Sequence, residues 1–360
     1  MQSLLTKLCL AASLAVGGFS AASLPCVSQL PAIHLPITTT ASLTELDSYF
    51  ERIVRRPNGD FLVTQLAADA ELWLLRGAGT PHARLSSLHN FTESTGLVGI
   101  AAVGHDSYIV TAQRFSSFAV PEPNTTVIWE VQFPRPDSDR VRLRKVADVP
   151  AAGVLNGIVT LPQDPTIALF GDSYRGQVLR LDVATGKYEV VLETPELSGA
   201  PGPALSIGVN GLQIYDGYLY LSNTAKIAFY RIAIDRDGYP RRGARVETLA
   251  TIPGISGLDD FTFDKRGNIW GVAPFENQAF VLYKKGPGSG ARREYRTVQF
   301  VAGGLNSSAI PGPTAYAWGA GDSSHLLYVT ATGGEVAPIN GTYTEPAKVA
   351  AIDTRAFFRG

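Results

Sequence analysis

Apolar residues along this chain come in short runs that alternate with polar positions and stop at Gly, Asp or Asn. The pattern returns about every 50 residues, which marks a repeat architecture. Asn156-Gly157-Ile158, Asn210-Gly211-Leu212 and Asp259-Asp260-Phe261 each open such a run, and each run continues into a second hydrophobic stretch. In two of them an Asp216-Gly217 or Gly267-Asn268 turn joins the stretches. Glu51 to Val63, with Asn58-Gly59 at its centre, repeats the unit near the N-terminus. Alternation bounded by turn residues predicts strands joined by hairpins. Six units begin near Glu51, Leu97, Asn156, Asn210, Asp259 and Thr314. Short strands at a fixed period predict an all-β fold, a six-bladed β-propeller with four-stranded blades around a central channel. Helical periodicity is confined to a short stretch around Leu43 to Phe50.

Nothing splits the chain, so residues 45–360 are expected to form one propeller domain. Ahead of it, residues 1–22 read as a signal peptide, with Lys7, an apolar stretch from Leu8 to Val16, and small residues at Ser20 to Ala22. Residues 23–44 read as a loose leader. Four sequons, at Asn90, Asn124, Asn306 and Asn340, are candidate glycosylation sites and agree with a secretory route. The protein is expected to be secreted or to work in a secretory compartment. Cleavage would leave Cys26 as the one cysteine, so no internal disulfide is expected.

The 36 glycines and 23 prolines fit many tight turns, and the loops Pro195 to Pro203 and Gly286 to Gly290 are candidate rim or lid segments. A net charge of −1 gives no nucleic-acid footprint and no polybasic membrane patch. No later apolar segment is long enough to span a membrane. The expected partner is a small hydrophobic substrate, and nothing in the sequence calls for an obligate oligomer.

Aligning the units on their turns brings four polar residues into register. Glu51 and Asp259 precede Gly59 and Gly267 by eight residues, Asn210 precedes Gly217 by seven, and Asn156 takes the matching place in its unit. If the innermost strands line the channel, two carboxyls and two amides converge there. Such a set offers oxygen ligands for Ca²⁺, Mg²⁺ or Mn²⁺. The five histidines have no HxH or HExxH spacing, and no Gly-x-Ser-x-Gly elbow is present, which argues against zinc-hydrolase and serine-nucleophile chemistry.

Gly208-Val-Asn-Gly-Leu212 with Gly217-Tyr-Leu-Tyr-Leu-Ser-Asn223, and Leu258-Asp-Asp-Phe-Thr-Phe-Asp264 with Gly267-Asn-Ile-Trp270, resemble the SMP-30/gluconolactonase/strictosidine-synthase-like propellers. In the metal-dependent lactonases of that family, a Glu, an Asn and an Asp hold a divalent cation. The resemblance places these roles on Glu51, Asn210 and Asp259, with Asn156 facing the substrate. Two flanks depart from the family pattern: Arg52 follows Glu51 where Gly is usual, and Asp260 follows Asp259 where Gly is usual. Either Asp259 or Asp260 is then the channel carboxylate. Arg114 is a candidate positive charge near the rim, competing with a metal or neutralising Glu51.

Phe50-Glu-Arg-Ile53, Leu155-Asn-Gly-Ile158, Asp172-Ser-Tyr-Arg175 and Gly312-Pro-Thr-Ala315 are similar to a secreted fungal subgroup of secondary-metabolite enzymes. Some of its members are hetero-Diels–Alderases that join a tropolone o-quinone methide to a humulene-type sesquiterpene. This resemblance implies a metal-free cyclase with Glu51, Asp259 or Asp260 as acid and base. Asn156, Asn210 and Arg114 would donate to the substrate oxygen. Tyr174, Tyr215, Trp270, Phe275, Tyr316 and Trp318 are the candidate apolar walls. A divalent-metal lactonase and a non-catalytic binding propeller are the alternatives. The altered flanks and the secretory leader favour the cyclase.

Overall fold

The computed structural model describes residues 27–200, 206–285 and 295–359. The expected signal peptide, Cys26, Gly286 to Gly290 and part of the Pro195 to Pro203 loop lie outside the described residues.

Six blades of four antiparallel strands ring a central channel, the fifth extended by one short parallel strand, and their innermost strands fall where the six units were read. These are Tyr49–Arg55, Gly96–Gly104, Leu155–Leu161, Val209–Tyr215, Phe261–Phe263 and Pro313–Trp318. Blade four shows the local logic. Val209–Tyr215 turns through Asp216 and Gly217, both at positive φ, into Tyr218–Asn223. Positive φ at both central residues is the hairpin geometry that matches strand twist, and Asp-Gly tolerates it. The alternating apolar positions of neighbouring blades then meet face to face. Each of the six blade interfaces holds its own cluster of buried side chains.

The segment expected as a loose leader is instead part of the ring. Ile37–Ser42 pairs with Lys348–Asp353 as the outer strand of blade six. Ser28–Gln29 pairs with the outer strand of blade five. The leader's turn-rich composition hid these strands, because an outer strand is exposed on one face and carries no full apolar run. After the last strand, the short helix Arg355–Arg359 lays Phe357 and Phe358 against Trp270.

Five innermost strands carry a bulge near their start, visible as a register shift at Phe50/Arg52, Leu97/Ile100, Leu155/Ile158, Val209/Leu212 and Pro313/Tyr316. A bulge leaves backbone N–H groups off the ladder, and buried donors need partners. Hydroxyls of the second strand supply them and then bridge to the next blade. Thr64 accepts from Arg52 N–H and donates to Val98 C=O; Thr111 accepts from Gly99 N–H and donates to Leu155 C=O. Ser222 accepts from Gly211 N–H and donates to Asp259 C=O. These bulges aim consecutive residues into the channel.

Candidate active site

The bulged residues, with Asp259 and Asp260 just before the innermost strand of blade five, form two tiers. Glu51, Val98, Asn156, Asn210 and Asp259 line a cavity of about 200 Å³ at one end of the channel. The residues that follow them are Arg52, Gly99, Gly157, Gly211 and Asp260. Arg52 and Asp260 border a separate depression at the other end, beside Tyr316. Both aspartates therefore face the channel, at different depths, which resolves the choice between Asp259 and Asp260.

Arg52 holds the two tiers together. Its guanidinium is buried and ion-paired with Asp260. Nε and Nη2 donate to Asn156 Oδ1 at 3.2 and 2.6 Å, and Nη2 donates to Asn210 Oδ1 at 3.0 Å. The Asn210 amide N–H donates to Thr224 Oγ1 at 3.1 Å. Oδ1 of Asp259 is buried and has no hydrogen-bond partner.

Burial pushes the Glu51 carboxyl up to about 7, against the pull of Arg52 and the Asn156 amide, and Asp260 adds to the rise. Burial also carries Asp259 well above the carboxylate range, and Glu51 beside it raises it further. Asp260 is raised by burial too, with Arg52 opposing. One guanidinium thus faces three buried carboxyls. Two like charges in so dry a place do not both ionise, so the Glu51–Asp259 pair keeps a proton near neutrality. Such a pair can hydrogen-bond to, donate to and accept from a bound molecule.

Above the pair the wall is apolar. Tyr49, Leu66, Phe115, Phe118, Tyr174, Leu258 and Phe275 line the cavity. Phe118 sits on a small hairpin, Phe115–Ser117 paired with Val120–Pro121. Its ring packs 5.1 Å from that of Tyr49, yet it is 52% exposed. One polar tether holds the hairpin to blade three: Tyr174 Oη donates to Ala119 C=O at 2.7 Å. Asp172 fixes the root of Tyr174 by accepting from the N–H groups of Gly153, Val154, Tyr174 and Arg175.

Of the residues expected at the site, Glu51, Asn156, Asn210, Asp259 and Asp260 come together, and Tyr174 and Phe275 join the wall. Arg114 does not: it pairs with Glu122 at the surface, half exposed. Trp270 is fully buried and donates to Asp264 at 3.0 Å, while Trp318 donates to Phe263 C=O at 2.9 Å. Both serve the packing between blades five and six. Tyr215 stacks on Phe263 between blades four and five. Tyr316 is buried at the opposite channel end, its hydroxyl on Gly271 C=O. Among the described residues, no group of three or more His, Cys, Asp and Glu side chains is arranged to hold a metal ion.

The ring of six blades around a polar channel defines a six-bladed β-propeller, a fold the chain shares with solved structures of low sequence identity. The solved structure of regucalcin from Agrobacterium tumefaciens, described as a calcium-binding protein, superposes with a TM-score of 0.58 at 13% identity, covering 90% of this chain and 95% of that one. More specifically, the chain is 28% identical to a Sarocladium schorii protein named a hetero-Diels-Alderase, asR5, over 86% of this chain and 82% of that protein. A Phoma sp. protein named a hetero-Diels-Alderase is 27% identical over 79% of this chain and 83% of its own length. No protein-family model matches the chain.

Proposed function

We propose that the protein catalyses a hetero-Diels–Alder cyclisation, joining an o-quinone methide of tropolone type to an apolar sesquiterpene polyene of humulene type. The observation that carries this reading is the apolar, aromatic-walled cavity set directly on a proton-holding Glu51–Asp259 pair. The names of the two homologues support the same reaction class. The exposed positions of Asn90, Asn124, Asn306 and Asn340 are compatible with glycosylation in a secretory compartment.

The heterodiene arises from a hydroxymethyl tropolone by loss of water. Asp259, protonated, gives its proton to the departing hydroxyl, while Glu51 as carboxylate takes the ring hydroxyl proton. The carbon–oxygen bond to the leaving water breaks, and the ring oxygen becomes a carbonyl. The proton on Glu51 passes back to Asp259, so the pair ends as it began. The cycloaddition then forms one C–C and one C–O bond in a single step, with no further proton needed. During it, negative charge grows on the heterodiene oxygen, and a hydrogen bond from the Asp259 carboxyl stabilises it. Tyr49, Phe115, Phe118 and Phe275 hold the polyene face against the heterodiene. Orienting two reactants supplies several kcal/mol of the barrier.

Incubating the purified protein with a hydroxymethyl tropolone and a humulene-type polyene tests the reading. The expected result is one adduct stereoisomer formed faster than in buffer. Glu51→Gln should lower the rate about 100-fold or more while retaining the circular dichroism of the fold. The same isomer mixture at the same rate with and without protein would overturn the proposal.

A further inference from the structure

We infer that Arg52 and Asp260 form a built-in ion-pair plug whose guanidinium takes the oxygens a divalent metal ion would need, so that this channel is a metal-independent variant of its architecture. This concerns what occupies the channel and stands apart from the reaction proposed above.

The residue behind the first-tier side chain is glycine in three blades, Gly99, Gly157 and Gly211, and the matching bulge of blade six places Ala315 behind Thr314. The two exceptions are Arg52 and Asp260, and each is the other's partner. A side chain on Gly211 would run into the Asp260 carboxylate, and one on Gly157 into the Asn210 carbonyl. The plug therefore depends on neighbours that have no side chain. Arg52 takes Asn156 Oδ1 through two N–H donors and Asn210 Oδ1 through one, with its fork closed on Asp260. A calcium ion needs its oxygens at about 2.3–2.6 Å. An ion at that distance from both amide oxygens would press against a buried positive charge. As it stands, the Glu51, Asn210 and Asp259 set does not fit a divalent cation.

Charge counting agrees. Arg52 and Asp260 neutralise each other inside the channel, so the guanidinium stands directly behind Glu51 and Asp259 with its own counter-charge. The two departures at residues 52 and 260 are thus one compensated change rather than two.

The test is calorimetric titration of the EDTA-treated protein with CaCl₂ and MnCl₂, paired with thermal melts. The wild-type chain should show no heat above dilution and no melting shift. Arg52→Gly/Asp260→Gly should take up one ion with micromolar affinity, melt several degrees higher in its presence, and lose both effects when Asp259→Asn is added. Should that double variant not fold, Arg52→Gln/Asp260→Asn, which removes both charges but keeps the bulk, carries the same expectation. Uptake of one ion by the wild-type chain, abolished by Asp259→Asn, overturns the inference. So does a folded charge-free variant that takes up no ion. None of these readouts needs the substrate.

Discussion

Glu51 has an ordinary value of 4.5 and sits at about 7 in the folded chain, raised first by burial, with Arg52 and Asn156 opposing and Asp260 reinforcing. The folded state therefore binds more protons than the unfolded one between those values. Stability at this residue is fully present below about pH 4.5, is lost as pH rises to about 7, and is level above. Melting temperature measured against pH should show this slope in the wild type and a weaker one in Glu51→Gln, so that the variant gains on the wild type toward alkaline pH. Equal slopes in the two proteins would place Glu51 in a wetter setting than the channel gives it. Four of the first-tier positions were legible because Glu51, Asn156, Asn210 and Asp259 recur against their turns. Arg52 was not. In a regular strand successive side chains point to opposite faces, so an Arg after a channel Glu should point away. The bulge between Phe50 and Arg52 breaks that alternation and sends both inward. Arg114, read as a positive charge near the rim, pairs instead at the surface with Glu122, eight residues on.

At the scale of single elements, the Phe115–Pro121 hairpin forms one wall of the cavity. A cavity of about 200 Å³ is smaller than the usual range of roughly 300–1,000 Å³ for drug-sized ligands, and two reactants need more. A wider hollow of about 620 Å³ lies beside it, sharing Tyr174 as a wall. Swinging the hairpin off Tyr49 would join the two. The hairpin is tethered to blade three by the Tyr174–Ala119 bond and at its root by Phe115 N–H donating to Thr95 Oγ1, and a neutral hydrogen bond contributes only about 0.5–1.5 kcal/mol net. Tyr174→Phe should raise hydrogen exchange across residues 115–121 several-fold while leaving the blade cores protected. Exchange unchanged from the wild type would mean that the Phe118–Tyr49 contact, not the tether, sets the closed form. The wall residues on this hairpin escaped sequence reading because they belong to no blade period; the aromatics that do follow it, Trp270 and Trp318, pack between blades.

On the scale of the whole molecule, six interface clusters form an unbroken ring, and the ring is latched by pairing the two ends of the chain. The number of blades and their order were legible from the repeat, since each unit buries its faces only against its neighbours. The latch was not, because Ile37–Ser42 is half exposed and its partner strand lies at the far end of the sequence. Removing residues 27–42 would leave Lys348–Asp353 as an open edge, and open edges recruit other chains. The truncated protein should melt lower and form aggregates on warming, as light scattering would show. A truncated chain with unchanged melting would mean that the blade clusters alone hold the ring. The pairing of Ile37 with Ile352 also fixes an order of events in time. Synthesis runs from the N-terminus, so the first strand of the ring must wait, unpaired, until its last has left the ribosome. A chain that stops before Lys348 has lost its closure and not merely its tail.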